Sequence, residues 1–317
     1  MRCRRCLLLV APWLTGVVAA TQYPLPPPGS DLVGTLQWAA ARRSETLLDI
    51  ARANDVGQEE IRLANPDVDR WLPEEGAEVL IPTWYVLPVA ARRGLVLNLP
   101  EMRLYHFRVE TAAEPAVVDT YPVSIGRMDW KTPLGETRIV AKQRDPSWHP
   151  PASVREEAAA EGRAVPERVP PGPDNPLGEY ALRLAVPGYL IHGTNKPYGV
   201  GMRVTHGCVR LLPEDIAGLF EAVPVGTPVQ IVNQPVKAGW EDGVLHLEVH
   251  PPLDEDPTSR GDLLRFALEI VYAELERKPA VLDGAALRRA VEEARGFPVA
   301  VSRPGASGRP ITHPLFR

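Results

Sequence analysis

Between Gly94 and Asn233, proline and glycine cut the chain into short runs that alternate apolar and polar residues or are rich in β-branched ones. The runs are "GLVLNLPEMRLYHF", "AVVDTYPVSIG", "GETRIVAKQ", "EYALRLAVPGYLIHG" and "GTPVQIVN". The first reads as strand, turn and strand around "LPEM". Long helices do not alternate with these runs, so a doubly wound parallel sheet is disfavoured and a mainly β domain, a β-sandwich or mixed sheet, is expected. Proline at 35 and glycine at 25 of 317 residues stay below the level that signals disorder, so they read as rigid loops and edge strands. One interruption is long: between Lys142 and Glu179 the chain makes a proline-rich excursion with a helix-like piece at Ser153 to Glu161. A loop of that size inside a compact domain is usually a lid or the wall of a groove.

The flanks read differently. Residues 1–20, "MRCRRCLLLVAPWLTGVVAA", have Arg2, Arg4 and Arg5 ahead of an apolar run, Leu7 to Val18, too short to span a bilayer. Val18 and Ala20 place small residues before a cut near Thr21, the pattern of a secretory signal peptide. No other apolar stretch is long enough to cross a membrane. Cys3 and Cys6 precede the apolar run and leave with it, so Cys208 is the one cysteine of the exported chain. Removing the three arginines takes the formal charge from −5 to −8, which argues against nucleic acid as a partner. Residues 21–43 form a proline-rich, extended lead-in.

Residues 44–83 follow, with Ser44 as a helix cap, an apolar face of Leu47, Leu48, Ile50 and Ala51, a stop at Asn54, a second helix from Glu59 to Ala64, and "EVLIP" as a strand. The helix–helix–strand order with "LANP" and "VLIP" resembles a LysM module, a small peptidoglycan-binding fold. The catalytic domain is expected over 92–234. Residues 235–317 form a C-terminal extension with one strand, "GVLHLEVHPPL", and two amphipathic helices. Its stripe of Leu263, Leu264, Phe266, Ala267, Ile270, Val271 and Leu275 reads as core or docking surface.

A lone thiol sent to an oxidising compartment is either buried and inert or kept for chemistry. Cys208 sits in "THGCVRL", and a thiol that attacks an amide needs deprotonation, access and stabilisation of the oxyanion. Gly207 lets the backbone bend and turns N–H groups of "HGC" toward developing charge. Arg210, two residues on, shares the face of Cys208 if a strand begins there, and could hold a carboxylate or make a surface salt bridge. His192 and His206 both qualify as the base. His192 ends an apolar strand, and meets Cys208 if the chain doubles back through "TNKPYGVGMR".

"IHGTN" followed by "THGCVR" resembles the motif of the YkuD-type L,D-transpeptidases, and the wider context resembles the ErfK/YbiS/YcfS/YnhG group of periplasmic enzymes. Further echoes run from "YPLPPPGSDLVG" through "LPEMRLYHF", "YPVSIG", "VPPGPDNPLGEYALRLA" and "GTPVQIVNQPVK" to "LEVHPPL". The resemblance implies Cys208 as nucleophile, His192 as acid/base residue, the Gly193 carbonyl as orienter of its ring, and His206 as accessory. It implies peptidoglycan stem peptides as partners. The acyl acceptor would be a second diaminopimelate residue or the C-terminal lysine of an outer-membrane lipoprotein. Arg203 and Arg210 are candidates for the stem's carboxylates and Tyr198 for the groove wall. A thiolate–imidazolium pair fits a site with no cofactor. Zinc on His192, His206 and Cys208 would lack paired spacing. A papain-like protease is disfavoured because no Asn or Trp signature surrounds Cys208 and the histidine precedes it. A murein-binding scaffold with an idle thiol is the other alternative. Trp130, Trp148 and His149 read as wall or packing; His106, His246, His250 and His313 as ordinary strand or tail residues.

Overall fold

A computed structural model describes residues 21–111, 114–256 and 260–304. The signal-like segment, with Cys3 and Cys6, and the tail with His313 lie outside the described residues. The protein is mainly β, as its punctuated strand runs imply.

The lead-in is extended, but every extended piece is paired. Thr21–Pro24 joins the main sheet, Leu32–Gly34 pairs with Trp84–Val86, and Gln37–Ala40 pairs antiparallel with Glu78–Ile81. That last pairing makes a strand–helix–helix–strand unit over 37–81, so the unit starts before the expected boundary at 44. Its helices are α1, Leu47–Ala53, and α2, Gln58–Ala64. The cap of α1 is Thr46 rather than Ser44. Thr46 has an acid three residues on, so its Oγ1 accepts from Asp49 N at 3.2 Å while Asp49 Oδ2 accepts from Thr46 N at 2.8 Å. Ser44 has Leu47 at that position and can close no such box. Asn54 ends α1 as the sequence indicates.

The main sheet is curled and has nine strands. Across it run Thr21–Pro24, Val117–Pro122, Arg103–Arg108, Gly94–Asn98, Pro228–Val232, Gly135–Arg144, Tyr180–Leu184, Leu190–His192 and Val209–Arg210. Two pairings are parallel, Gly94–Asn98 with Pro228–Val232 and Leu190–His192 with Val209–Arg210. The excursion leaves from Arg144 and returns at Tyr180. Its ends are tied by Asp145 N donating to Glu179 O at 2.8 Å. It holds α3, Ala152–Ala160, and closes on itself where Trp148 bridges Val169. Helix α4, Pro213–Ala222, buries Ile216, Leu219 and Phe220 against the sheet. Burying such side chains is worth ~1.5–3 kcal/mol each.

The extension has a core of its own. Helices α5, Arg260–Arg277, and α6, Gly284–Glu293, pack on a hairpin of Val236–Glu241 and Val244–Val249. The stripe on α5 is core there: Leu263, Ala267 and Val271 are buried. The strand Val236–Glu241 went unread in the sequence, although Asp242-Gly243, both at positive φ, is a strong hairpin signal.

The hairpin is locked to the sheet by buried charge. Lys237 Nζ lies 2.9 Å from Glu101 Oε2 and 2.8 Å from Glu248 Oε1, and donates to Val86 O at 2.7 Å. His250, read as an ordinary strand residue, bonds Glu248 at 2.7 Å in the same cluster. The ligand atoms of Glu101, Glu248 and His250 lie within 4.8 Å of one another, but the ammonium already supplies the cation. Removing one partner of a buried pair is costly. Lys237→Met is expected to lower the unfolding free energy by about 3–5 kcal/mol in urea titrations. A loss below about 1 kcal/mol would show that the cluster is not held by this pair.

Candidate active site

The parallel register Ile191↔Val209 and His192↔Arg210 decides the site. Ile191 and Val209 point into the core. Their neighbours point the other way, so His192, Arg210 and, two residues before Arg210, Cys208 share the outer face. The strand is gripped on both sides. Leu211 N donates to His192 O at 2.9 Å, while Ser124 and Arg210 exchange backbone bonds of 2.8 and 2.9 Å.

The turn that presents the thiol is built for glycine. Gly207 has φ +97°, and a Cβ there would sit 2.7 Å from the Tyr189 ring. Its carbonyl accepts from Thr132 Oγ1 at 2.9 Å, and that oxygen accepts from Gly126 N at 3.1 Å. Thr205 Oγ1 closes the turn by donating to Cys208 O at 2.6 Å. Cys208 itself is half-buried, its Sγ 3.8 Å from Gly188 O, with the Leu190 N–H also directed at it.

His192 is 4% exposed and its Nδ1 donates to Gly193 O at 2.7 Å. A carbonyl can only accept, so this bond places a proton on Nδ1, and the backbone of Leu177 also bonds the ring. Burial, followed by the charge of Arg210, pushes the imidazole pKa down to about 4. Burial pushes the Cys208 thiol up, against a smaller opposing pull from Leu190 N–H and Arg210. Burial thus disfavours the charged form of both groups of the thiolate–imidazolium pair considered from the sequence.

Arg210 is partly buried, its Nε has no partner, and no carboxylate pairs with it among the described residues. Desolvation lowers its pKa slightly from the guanidinium range. Arg203 is different. Its guanidinium meets Asp254 at 3.0 Å and Glu255 at 2.6 Å and donates to Gly126 O at 3.3 Å, so it has no fork left for a substrate carboxylate. Tyr198 is exposed on a short turn, Pro197–Gly199, whose carbonyl accepts from Gln58 of the helical unit.

His206 turns to the excursion instead of the thiol. Its Nε2 lies 2.8 Å from Glu157 Oε2 on α3, and its ring lies tilted by 56° against Trp130 with the centroids 5.3 Å apart. Glu157 also pairs with Arg127, and its carboxyl is held down at about 2 by Arg127 and then His206. The excursion is thus pinned over the outer face. Beneath it lies a cavity of about 290 Å³ lined by Gln143, Pro146, Ser147, Leu177, Arg183 and Leu190, the last of these next to the sulfur. Thr132, Thr205 and Glu157 were not singled out in the sequence; Thr132 lies in "KTP", whose importance shows only once Gly207 is placed beside it.

The model of the YkuD L,D-transpeptidase catalytic domain matches residues 92–231. The "Probable L,D-transpeptidase ErfK/SrfK" of Salmonella typhimurium is 39% identical over 90% of this chain and 93% of its own. The "Probable L,D-transpeptidase YbiS" of Escherichia coli K12 is 40% identical over 89% of this chain and 92% of its own. Among solved structures, the NMR structure of the catalytic domain from an E. faecium L,D-transpeptidase is 19% identical, with a TM-score of 0.35 over 46% of this chain and 100% of its own.

A neutral resting thiol has a readable consequence. Alkylation of Cys208 by iodoacetamide is expected to rise about tenfold per pH unit from about pH 6 to about pH 8, following the small thiolate fraction. A rate that is already flat across that range would contradict the raised thiol pKa.

Proposed function

This chain belongs to the YkuD-type L,D-transpeptidases and is a transpeptidase, and on that basis we propose that Cys208 carries an acyl transfer between peptidoglycan stem peptides, with His192 as its acid and base. The observation that carries this reading is the register that sets Cys208, His192 and an unpaired Arg210 on one face of the sheet. Membership in the family sets aside the protease and the idle scaffold.

In the first half-reaction Sγ attacks the carbonyl joining the stem's third residue to its terminal D-alanine. The thiol proton passes to His192 Nε2 and then to the departing amine. The C–N bond breaks, a C–S bond forms and D-alanine leaves. In the second half an acceptor amine attacks the thioester, gives its proton through His192 to the sulfur, and restores the thiol. The acceptor is a second diaminopimelate residue or a lipoprotein lysine. Arg210 binds a stem carboxylate. That ion pair also offsets the Arg210 charge, which after burial is the second cause depressing His192, so the imidazole becomes a somewhat better base once substrate is bound. The signal-like segment supports a periplasmic setting for this work. The unit over 37–81, with Trp38 and Trp71 exposed, serves as a LysM-like glycan contact.

A carbapenem is expected to form a covalent adduct on Cys208 that Cys208→Ala abolishes; an adduct surviving in that variant, or none in reduced wild type, would refute the assignment. Arg210→Ala is expected to lower kcat/KM for tetrapeptide stems by about ten- to a hundredfold, the worth of a hydrogen-bonded charge. It should also let the His192 pKa rise from about 4, read by NMR titration. An unchanged kcat/KM would remove Arg210 from the site. Mass analysis of the cross-linked products identifies the acceptor.

A further inference from the structure

Thr21 opens the edge strand Thr21–Pro24, which pairs with Val117–Pro122. Its backbone N–H and its hydroxyl both donate to Asp55 Oδ2, each at 3.1 Å. Asp55, just past α1, is 3% exposed, and its Oδ1 is buried with no hydrogen-bond partner. Two more carboxylates are buried nearby, Glu60 at 5% and Asp215 at 1% exposure, and neither oxygen of Asp215 is bonded. The fully buried cation beside them is Arg103. It spends its fork on Glu60, at 2.7 and 2.9 Å, and reaches the carbonyl of Asp55 rather than its carboxylate. Arg52, half-buried, is taken by Glu214. Tyr23 and Tyr85 complete the surroundings and add no positive charge. Buried carboxylates without a cation are costly, and with Arg103 spent on Glu60, Asp55 and Asp215 are left without one.

We propose that the corner is the seat of the mature N-terminus, where cleavage after Ala20 converts the Thr21 nitrogen into an α-ammonium that ion-pairs with Asp55. An export peptidase hydrolyses the Ala20–Thr21 bond with one water. The hydroxyl goes to the Ala20 carbonyl, a hydrogen to the Thr21 nitrogen, and the proton released by the new carboxyl is taken up by the new amine. A neutral donor becomes a cation at an unchanged position. The Asp55 carboxyl, which burial holds up at about 6, then gains a charged partner for its ionised form. Processing thereby clamps the first strand of the sheet to the helical unit that carries Asp55. This goes beyond the acyl transfer and shares with it only the export cut.

The test uses chains released from a cleavable fusion, one starting at Thr21 and one with a single glycine ahead of it, each with Asp55 and with Asp55→Asn. The Thr21 start is expected to melt at least about 3 °C above the glycine-extended chain, and the gap to vanish in Asp55→Asn. Equal melting with Asp55 present, or a gap that persists in Asp55→Asn, overturns the proposal. Should Asp55→Asn fail to fold, titration of the α-amine decides. In the Thr21 start it should titrate at least about one pH unit above that of the glycine-extended chain, and equal values overturn the proposal. An exported protein whose first residue is not Thr21 also overturns it. Carbapenem labelling of Cys208 in the same samples reports on the catalytic reading independently.

Discussion

The site depends on one short parallel pairing. Three residues, Leu190–His192, lie beside two, Val209–Arg210, and a slip of one residue would send His192 or Cys208 into the core. The register is held against that slip from several directions. Ile191 and Val209 are buried in the main core, Ser124 pairs with Arg210 from the far side, and Gly207 makes the turn that only a residue tolerant of φ +97° can make. Packing on the inner face thus determines the chemistry available on the outer one.

Electrostatics then set the resting state. A histidine and a thiol, both removed from water, are each pushed by burial toward the uncharged form; the guanidinium of Arg210 adds to this at His192 and opposes it at Cys208. Elsewhere the chain uses buried charge to join its parts. Arg103 with Glu60 ties the helical unit to the sheet, and Lys237 with Glu101 and Glu248 ties the extension to it. Pairs of this kind add little net stability, but misplacing either partner leaves a bare charge in the interior.

The fold was legible because its signals are local. Alternation around "LPEM" gives a hairpin, "GYLIHG" gives a strand ending in His192, and "HGC" needs a bend before the thiol. Charge pairing was not legible, since it depends on partners far apart in sequence. Arg203 looks as available as Arg210 on paper, yet Asp254 and Glu255, about fifty residues on, consume it. His206 likewise is claimed by Glu157 from across the excursion. The first strand of the helical unit was missed because "TLQWAA" has no strict alternation and becomes a strand only against Glu78–Ile81. Thr46 replaced Ser44 as cap for a reason that two residues of sequence context already contain.

The most direct test is to catch the enzyme between its two half-reactions. Mixing the protein with a murein tetrapeptide in the absence of an acceptor, quenching in acid and mapping the peptides by mass should find the stem, less its D-alanine, on the peptide bearing Cys208, and the adduct should be discharged by hydroxylamine as a thioester is. Release of D-alanine with the stem attached to another residue, or with no covalent species at any quench time, would contradict the account.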